Sequence, residues 1–335
     1  LNASACKSMS SVNPVDKAGL KYAAFEQRNG YSVLVRANLS LNRRNGVMRF
    51  FNTEGPVKEN RHYRLPPLQR WNLEEIRTLI DQEKYFLLHA PRQTGKTTCL
   101  LALADYLNQQ GRYRAVYANI EAAQAYRENV DKGMATVVTD IAAWAHDGSG
   151  DTAAPALARE VLATTPSGSA LGVFLTHWCS QLTQPLILML DEADALIGDT
   201  LISLLRQLRA GYPKRPTHFP HTVILCGVRD LRDYRIHSSI EQAVITGGSA
   251  FNIKAKSLRL GDFNAAEVTA LLQQHTEETG QAFTPEALEA VWTLTQGQPW
   301  LVNALAYEAC FDMRDGRDRS QPVTAPRIEQ AKEHL

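Results

Sequence analysis

Leu87-Leu88-His89-Ala90-Pro91-Arg92-Gln93-Thr94-Gly95-Lys96-Thr97-Thr98 is the stretch whose reading decides the fold. The apolar run from Tyr85 to Leu88 predicts a short buried strand, and Cys99-Leu100-Leu101-Ala102-Leu103-Ala104 continues as a helix. Between them stands the phosphate-binding loop pattern G-x-x-x-x-G-K-[ST], with Ala90 in the place of the first glycine. A strand, a loop and a helix start in this order turn backbone N–H groups toward nucleotide phosphates, where the helix dipole also favours negative charge. The expected cofactor-binding residues are therefore Ala90, Pro91, Arg92, Gln93, Thr94, Gly95, Lys96, Thr97 and Thr98. Gly95 lets the backbone turn tightly, Lys96 reaches the β/γ oxygens, and the Thr97 hydroxyl is placed for Mg²⁺.

A second stretch supports the first. Pro185-Leu186-Ile187-Leu188-Met189-Leu190-Asp191-Glu192 is an apolar run ending in two carboxylates, which predicts a buried parallel strand whose C-terminal end meets a ligand crevice. Asp191 is expected to hold Mg²⁺ through water, facing Thr97, and Glu192 to act as the general base on the attacking water. Thr222 to Gly227 predicts the next strand, running into Val228-Arg229-Asp230. That places Arg229 to sense or stabilise the γ-phosphate charge. A structural ion pair is the competing reading for Arg229, and Arg229, Arg232 and Arg235 together could instead form a partner-facing patch.

Composition sets bounds. The 335 residues suffice for about two cored domains, and 36 Lys+Arg against 35 Asp+Glu give no global pull toward nucleic acid or an anionic membrane. No apolar run reaches membrane-spanning length, and no signal-peptide pattern opens the chain. Cys6, Cys99, Cys179, Cys226 and Cys310 are scattered without a C-x-x-C, which suggests reduced thiols and a cytoplasmic location.

Residues 1–47 are rich in Asn, Ser and Arg, and the globular pattern starts at Met48; they are expected to be a disordered or non-native extension, or else a small accessory hairpin. Gly55 to Trp71 is a polar, proline-marked lead-in, in which Tyr63, Leu65 and Pro67 are candidates to touch a nucleotide base. Asn72-Leu73-Glu74-Glu75 has capping-box spacing, with Leu73, Ile76, Leu79 and Ile80 on one helical stripe. A strand at 115–120 and helices at 127–145 and 170–182 precede the Asp191 strand, and a helix at 200–210 follows it. Phe251 to Leu260 is expected to be the last strand. Beyond it, capping signals at Asn264 and Thr284 and a break at Gly297-Gln298-Pro299 define three helices without strands. This gives a nucleotide-binding αβα domain at 48–260, a small all-α lid at 261–318, and the start of a truncated C-terminal region at 319–335.

The loop, the Asp191-Glu192 strand, the strand before Arg229 and the helical segment together resemble the AAA+ and STAND branches of P-loop ATPases. More narrowly, they are similar to a group of prokaryotic AAA-like ATP-binding proteins. The resemblance spans about residues 48–335 and rests on Phe51-Asn52-Thr53, His89 to Thr97, Leu190-Asp191-Glu192-Ala193-Asp194 and Gly297-Gln298-Pro299-Trp300-Leu301-Val302. It implies a P-loop fold of the α/β class, a three-layer αβα domain with a parallel sheet in 5-1-4-3-2 order and a helical lid. ATP and Mg²⁺ are the implied cofactors. Gly297-Gln298-Pro299 is similar to the STAND G-x-P motif, so Pro299 is expected to contact adenine and couple nucleotide state to lid position; an ordinary helix break is the alternative. Asp191-Glu192-Ala193-Asp194 also spells a helicase signature, which calls for a second RecA-like domain; the residues after it read mainly as one sheet edge and a helical lid, so the match is expected to be coincidence. The expected activity is ATP hydrolysis that drives or times a conformational change. The alternatives are a slow nucleotide switch or scaffold, and a DNA-linked ATPase that binds nucleic acid only through a missing C-terminal winged helix. A homo-oligomer or partner protein is an expected partner, with Arg209 and Arg215 as weak candidates for an arginine finger reaching a neighbouring subunit.

Overall fold

β1 (Tyr85–His89) lies inside a five-stranded, wholly parallel sheet with β2 (Arg114–Asn119), β3 (Leu186–Asp191), β4 (Thr222–Gly227) and β7 (Lys254–Arg259). The computed structural model describes residues 48–230 and 254–335, together with 235–238, 243–246 and 252. Residues 1–47, Arg232 and the side chain of Arg235, with the readings made of them, lie outside the described residues. The strand order is β2-β3-β4-β1-β7. Apart from a separate antiparallel pair, β5 (Arg235–Ser238) and β6 (Ala243–Thr246), this is the expected 5-1-4-3-2 order read from the other edge. β1 and β3 are not neighbours: β4 pairs with both. The ends of β1 and β3 therefore flank a crevice at the point where the strand order reverses.

Alternation within each strand builds two cores. Tyr85, Leu87, Val116, Leu188, Leu190, Val223 and Leu225 face one side, where they pack with α3 (Val130–Ser149), α4 (Ala153–Thr164), α5 (Ser167–Gln181) and α6 (Gly198–Gly211). Phe86, Leu88, Ala115, Tyr117, Ile187, Met189, Ile224 and Cys226 face the other, against α1 (Leu73–Asp81) and α2 (Lys96–Gln109). Burial on both faces is why these strands read as near-continuous apolar runs. Each fully buried aliphatic side chain contributes roughly 1.5–3 kcal/mol. The α1 stripe is buried as expected at Ile76, Leu79 and Ile80. Only half of its capping box forms: Asn72 accepts from the Glu75 N–H. α4 falls where the sequence offered only loop signals on either side; Ala154, Leu157, Ala158 and Val161 give it a buried face.

The third core is helical. α7 (Ala265–Thr279), α8 (Pro285–Thr295), α9 (Pro299–Tyr307) and α10 (Ala325–Lys332) share it. The capping box at Asn264 and Glu267 is complete, and Gly280 ends α7 in the left-handed conformation. α9 gives way to one π-helical turn at Glu308–Asp312, shortening the third helix expected there. α10 buries Ile328 and Ala331 in the same core, so its apolar face packs with the lid. Phe51, and Tyr63 of the lead-in, also lie in this core, 0 % and 1 % exposed. The chain thus begins its lid before it builds its sheet.

Candidate functional site

The loop between β1 and α2 takes its shape from a few local bonds. Ala90 N–H donates to Gly227 O (3.2 Å), tying the end of β1 to the end of β4. Thr94 Oγ1 donates to Pro91 O (2.9 Å). Gln93 and Gly95 have positive φ, 62° and 87°. At Gly95 this conformation favours glycine, and the neighbouring space is also filled: a Cβ there would meet Arg70 Nη1. Ala90 is fully buried and its methyl joins the α1/α2 core, which accounts for an alanine where the pattern has glycine. Lys96 is 6 % exposed and its Nζ donates to Ala90 O and Pro91 O, both at 3.1 Å. Its ammonium is thereby held at the loop mouth.

The acidic end sits directly opposite. Thr97 Oγ1 donates to Asp191 Oδ2 (2.7 Å), Tyr117 OH donates to the same oxygen (3.0 Å), and Glu192 N–H donates to Asp191 Oδ1 (3.0 Å). Asp191 is fully buried and meets all three donors, as a buried carboxylate must. Glu192 caps the strand with φ of 56° and lines the cleft half-buried. Burial holds its carboxyl above the usual glutamate range; the Asp191 charge adds to this, and Lys96 opposes it. Asp194 Oδ2 accepts from Val228 N–H (2.7 Å) and so joins the turn after β3 to the end of β4. That backbone bond gives Asp194 a bridging role in the fold.

A cleft of about 730 Å³ opens above these groups, within the span of small-molecule sites, roughly 300–1,000 Å³. Arg92, Gln93, Gly95, Lys96, Thr97 and Thr98 form its floor, with Glu192 at one end. Ala90, Pro91 and Thr94 shape the loop without lining the cleft. Tyr63, Leu65, Pro67, Leu271, Pro299 and Trp300 make the facing wall. Pro299, the residue of the G-x-P resemblance, is among the residues lining the cleft. The turn before it is fixed by Phe263 N–H donating to Gly297 O (2.8 Å), with Gly297 at φ 77° and its missing Cβ replaced by Phe263 backbone. Tyr63 presents little surface, because its ring is packed in the lid core and its OH meets His275 Nδ1 (3.2 Å).

Residues 52–57 bond to both the floor and the lid. Val57 N–H donates to Thr98 Oγ1 (3.1 Å), Trp300 Nε1 donates to Thr53 O (2.9 Å), and Asn52 N–H donates to Asn303 Oδ1 (3.2 Å). Arg70 closes the circuit. Its guanidinium donates to Thr94 O (2.5 Å) and Gly261 O (2.7 Å) and lies 4.6 Å from the Phe263 ring centroid.

Two expected arginines are placed otherwise. Arg229 is exposed just past β4 and does not line the cleft. Arg215 is used inside the fold: its guanidinium donates to Glu83 O and to Tyr212 O (2.8 Å) and covers the Tyr212 ring. It is held by its own chain, not presented to a neighbour. Tyr117, Arg70 and Trp300 were not legible as site residues. A tyrosine in a strand and an arginine in an irregular lead-in carry no motif, and only the sheet register and lid packing bring them to the cleft.

Among the described residues, no group of three or more His, Cys, Asp or Glu could hold a metal by itself. A cation here would rely on one hydroxyl, one carboxylate and the ligand's own phosphates, the donor set that suits Mg²⁺. The residues fit that role: the Thr97 proton is spent on Asp191, which leaves hydroxyl lone pairs for a metal.

Residues 78–234 match the family model described as AAA domain. That segment is similar to AAA-type P-loop domains. No sequence among the curated proteins matches the chain significantly. Its fold is similar to the crystal structure of Cdc6p from Pyrobaculum aerophilum, with a TM-score of 0.50 and 14 % identity over 81 % of this chain and 68 % of that one. It is also similar to a Walker-type ATPase of Pyrococcus abyssi, with a TM-score of 0.52 and 15 % identity over 85 % of this chain and 75 % of that one. At such identities the likeness speaks to fold. No helix among the described residues is long and apolar enough to cross a membrane.

Proposed function

We propose that this chain binds ATP with Mg²⁺ in the cleft and hydrolyses it to drive or time movement of the helical lid against the sheet domain. The observation that carries the reading is the convergence at the loop mouth: Lys96, the Thr97–Asp191 pair and Glu192 meet at the ends of β1 and β3 beneath a wall supplied by the lid. In this reading the loop N–H groups and Lys96 bind the β/γ-phosphates, and Pro299 and Trp300 bound the base. Thr97 and Asp191 hold the cation, which when bound neutralises charge on the phosphoryl oxygens. Glu192 takes the proton of the attacking water; burial and the Asp191 charge raise its carboxyl above the usual range, which makes it a stronger base.

A second reading, a switch that holds ATP and turns it over slowly, is favoured by the arginines. Of the three arginines lining the cleft, Arg64 is paired with Glu59, Arg70 holds two carbonyls, and Arg92 belongs to the phosphate loop itself, while Arg215 is engaged elsewhere and Arg229 stands outside. An arginine finger is worth about 10³–10⁵ in rate, and without one turnover is on the order of 10⁻⁴–10⁻² per second. Turnover per chain measured against protein concentration separates the readings. A rise with concentration means that a neighbouring copy supplies the missing cation; slow turnover at every concentration, with tight binding, means the switch. Lys96→Ala that binds Mg·ATP as the parent does would refute both.

A further inference from the structure

We propose that Tyr117 is a positioning residue for the carboxylate of Asp191, setting how strongly the cleft takes up a divalent cation. The inference rests on the proposed role of Thr97 and Asp191 as the cation-holding pair. β2 runs parallel to β3, with Tyr117 opposite Met189 and Asn119 opposite Asp191. The Tyr117 side chain leans along the sheet so that its hydroxyl donates to Asp191 Oδ2 at 3.0 Å. That is the same oxygen that receives the Thr97 hydroxyl, while Oδ1 is held by the Glu192 N–H. Donors on both oxygens, from three different elements, fix the rotation of the carboxylate.

Packing would be met equally well by phenylalanine. Tyr117 is 5 % exposed, and its ring lies edge-on to Trp144 with centroids 4.9 Å apart. A phenylalanine would keep the ring, the volume and that contact, and would bring no hydroxyl that needs a partner in a buried place. The hydroxyl is therefore explained by what it holds. With it, Asp191 keeps one oxygen turned to Thr97, and the Thr97 proton stays committed to Asp191, so the hydroxyl lone pairs face the cleft. Without it, the carboxylate keeps Thr97, one backbone donor and the Cys226 thiol, but loses the donor that fixes Oδ2 from the β2 side, and the pair must be ordered each time a cation arrives. Groups that orient a metal ligand from behind change metal affinity by about 10–100-fold when removed.

The test uses the full chain, a fluorescent methylanthraniloyl-ATP, and Mg²⁺ titrated from an EDTA-treated start. Tyr117→Phe is expected to melt with the parent and to lose much less affinity for the metal-free nucleotide than for the metal-bound one. It should need about 10–100-fold more Mg²⁺ for half of the metal-dependent gain in affinity. Equal Mg²⁺ requirements in Tyr117→Phe and parent would overturn the positioning role while leaving the cation site intact. An equal loss of nucleotide affinity in EDTA and in Mg²⁺ would also overturn it, marking Tyr117 as part of the scaffold. If the parent itself gains no affinity from Mg²⁺, the reading of Thr97 and Asp191 fails first, and the role of Tyr117 falls with it.

Discussion

Replacing Arg70 by alanine should loosen the lid from the phosphate loop without unfolding either. Arg70 gives two charge-assisted bonds to backbone carbonyls, one in the loop at Thr94 and one in the linker at Gly261, and it stacks on Phe263 at the base of the lid. A hydrogen bond from a charged donor is worth about 1.5–3 kcal/mol when shielded, and a cation–π contact about 0.5–1 kcal/mol. The Gly261 bond is exposed and counts for little; the Thr94 bond is half-buried and dominates. The expected loss is about 2–4 kcal/mol, roughly 30- to 900-fold in the local opening equilibrium. The Phe263 amide, which donates to Gly297 O, is the reporter. Its hydrogen exchange should accelerate by that factor in Arg70→Ala while the sheet amides exchange at the parental rate. Arg70→Lys should recover less than half, because one ammonium cannot serve two divergent carbonyls and stack as a planar group. Phe263 exchange unchanged in Arg70→Ala would refute the coupling.

Other outcomes follow from the same bonds. Lys96→Ala should weaken ATP binding at least 10-fold, since one charge-assisted phosphate contact is worth about 1.5–3 kcal/mol; isothermal titration of the variant checks this. Glu192 is protonated more readily in the folded chain than in the unfolded one, so its contribution to stability is full at low pH and is lost as pH rises through its raised pKa. Glu192→Gln should therefore be no less stable than the parent at neutral pH and lose any advantage near pH 4, as chemical denaturation at the two pH values will show. In the lid, Gln281 is 1 % exposed, and the two protons of its Nε2 are shared among Gly316 O (3.1 Å), Asp318 O (3.1 Å) and Gln321 O (3.0 Å). Gln281→Ala leaves those carbonyls short of a donor and should cost about 2–4 kcal/mol, read from the urea midpoint.

What was legible in the sequence is what depends on neighbours in the chain. A strand, a loop with glycine and lysine, and a helix start are contiguous, and so are the apolar run and its two carboxylates. The caps at Asn264 and Thr284 are formed by residues three apart, and both are present. The rest depends on distant pairing. Tyr63 looks like part of a polar lead-in, yet with Phe51 it fills the lid core beside His275. Arg215 reads as a loop cation, but its partners are Glu83, Tyr85 and Tyr212, two of them more than a hundred residues away. Arg229 follows a strand at the expected place, yet exposure there does not bring it to the cleft. Ala90 departs from the loop pattern for a reason that only packing reveals: its methyl belongs to the core. Asp194, read alongside the two preceding carboxylates, spends an oxygen on Val228 N–H and joins two strand ends.

The central claim is that Glu192 performs the chemistry while Lys96 and Thr97 hold the nucleotide. The most direct test is Mg·ATP turnover by Glu192→Gln in the full chain, with binding measured on the same sample. ATP affinity within about threefold of the parent with turnover lowered about 10²–10⁴-fold is the predicted result. A variant that hydrolyses at the parental rate would place the base elsewhere and contradict the account.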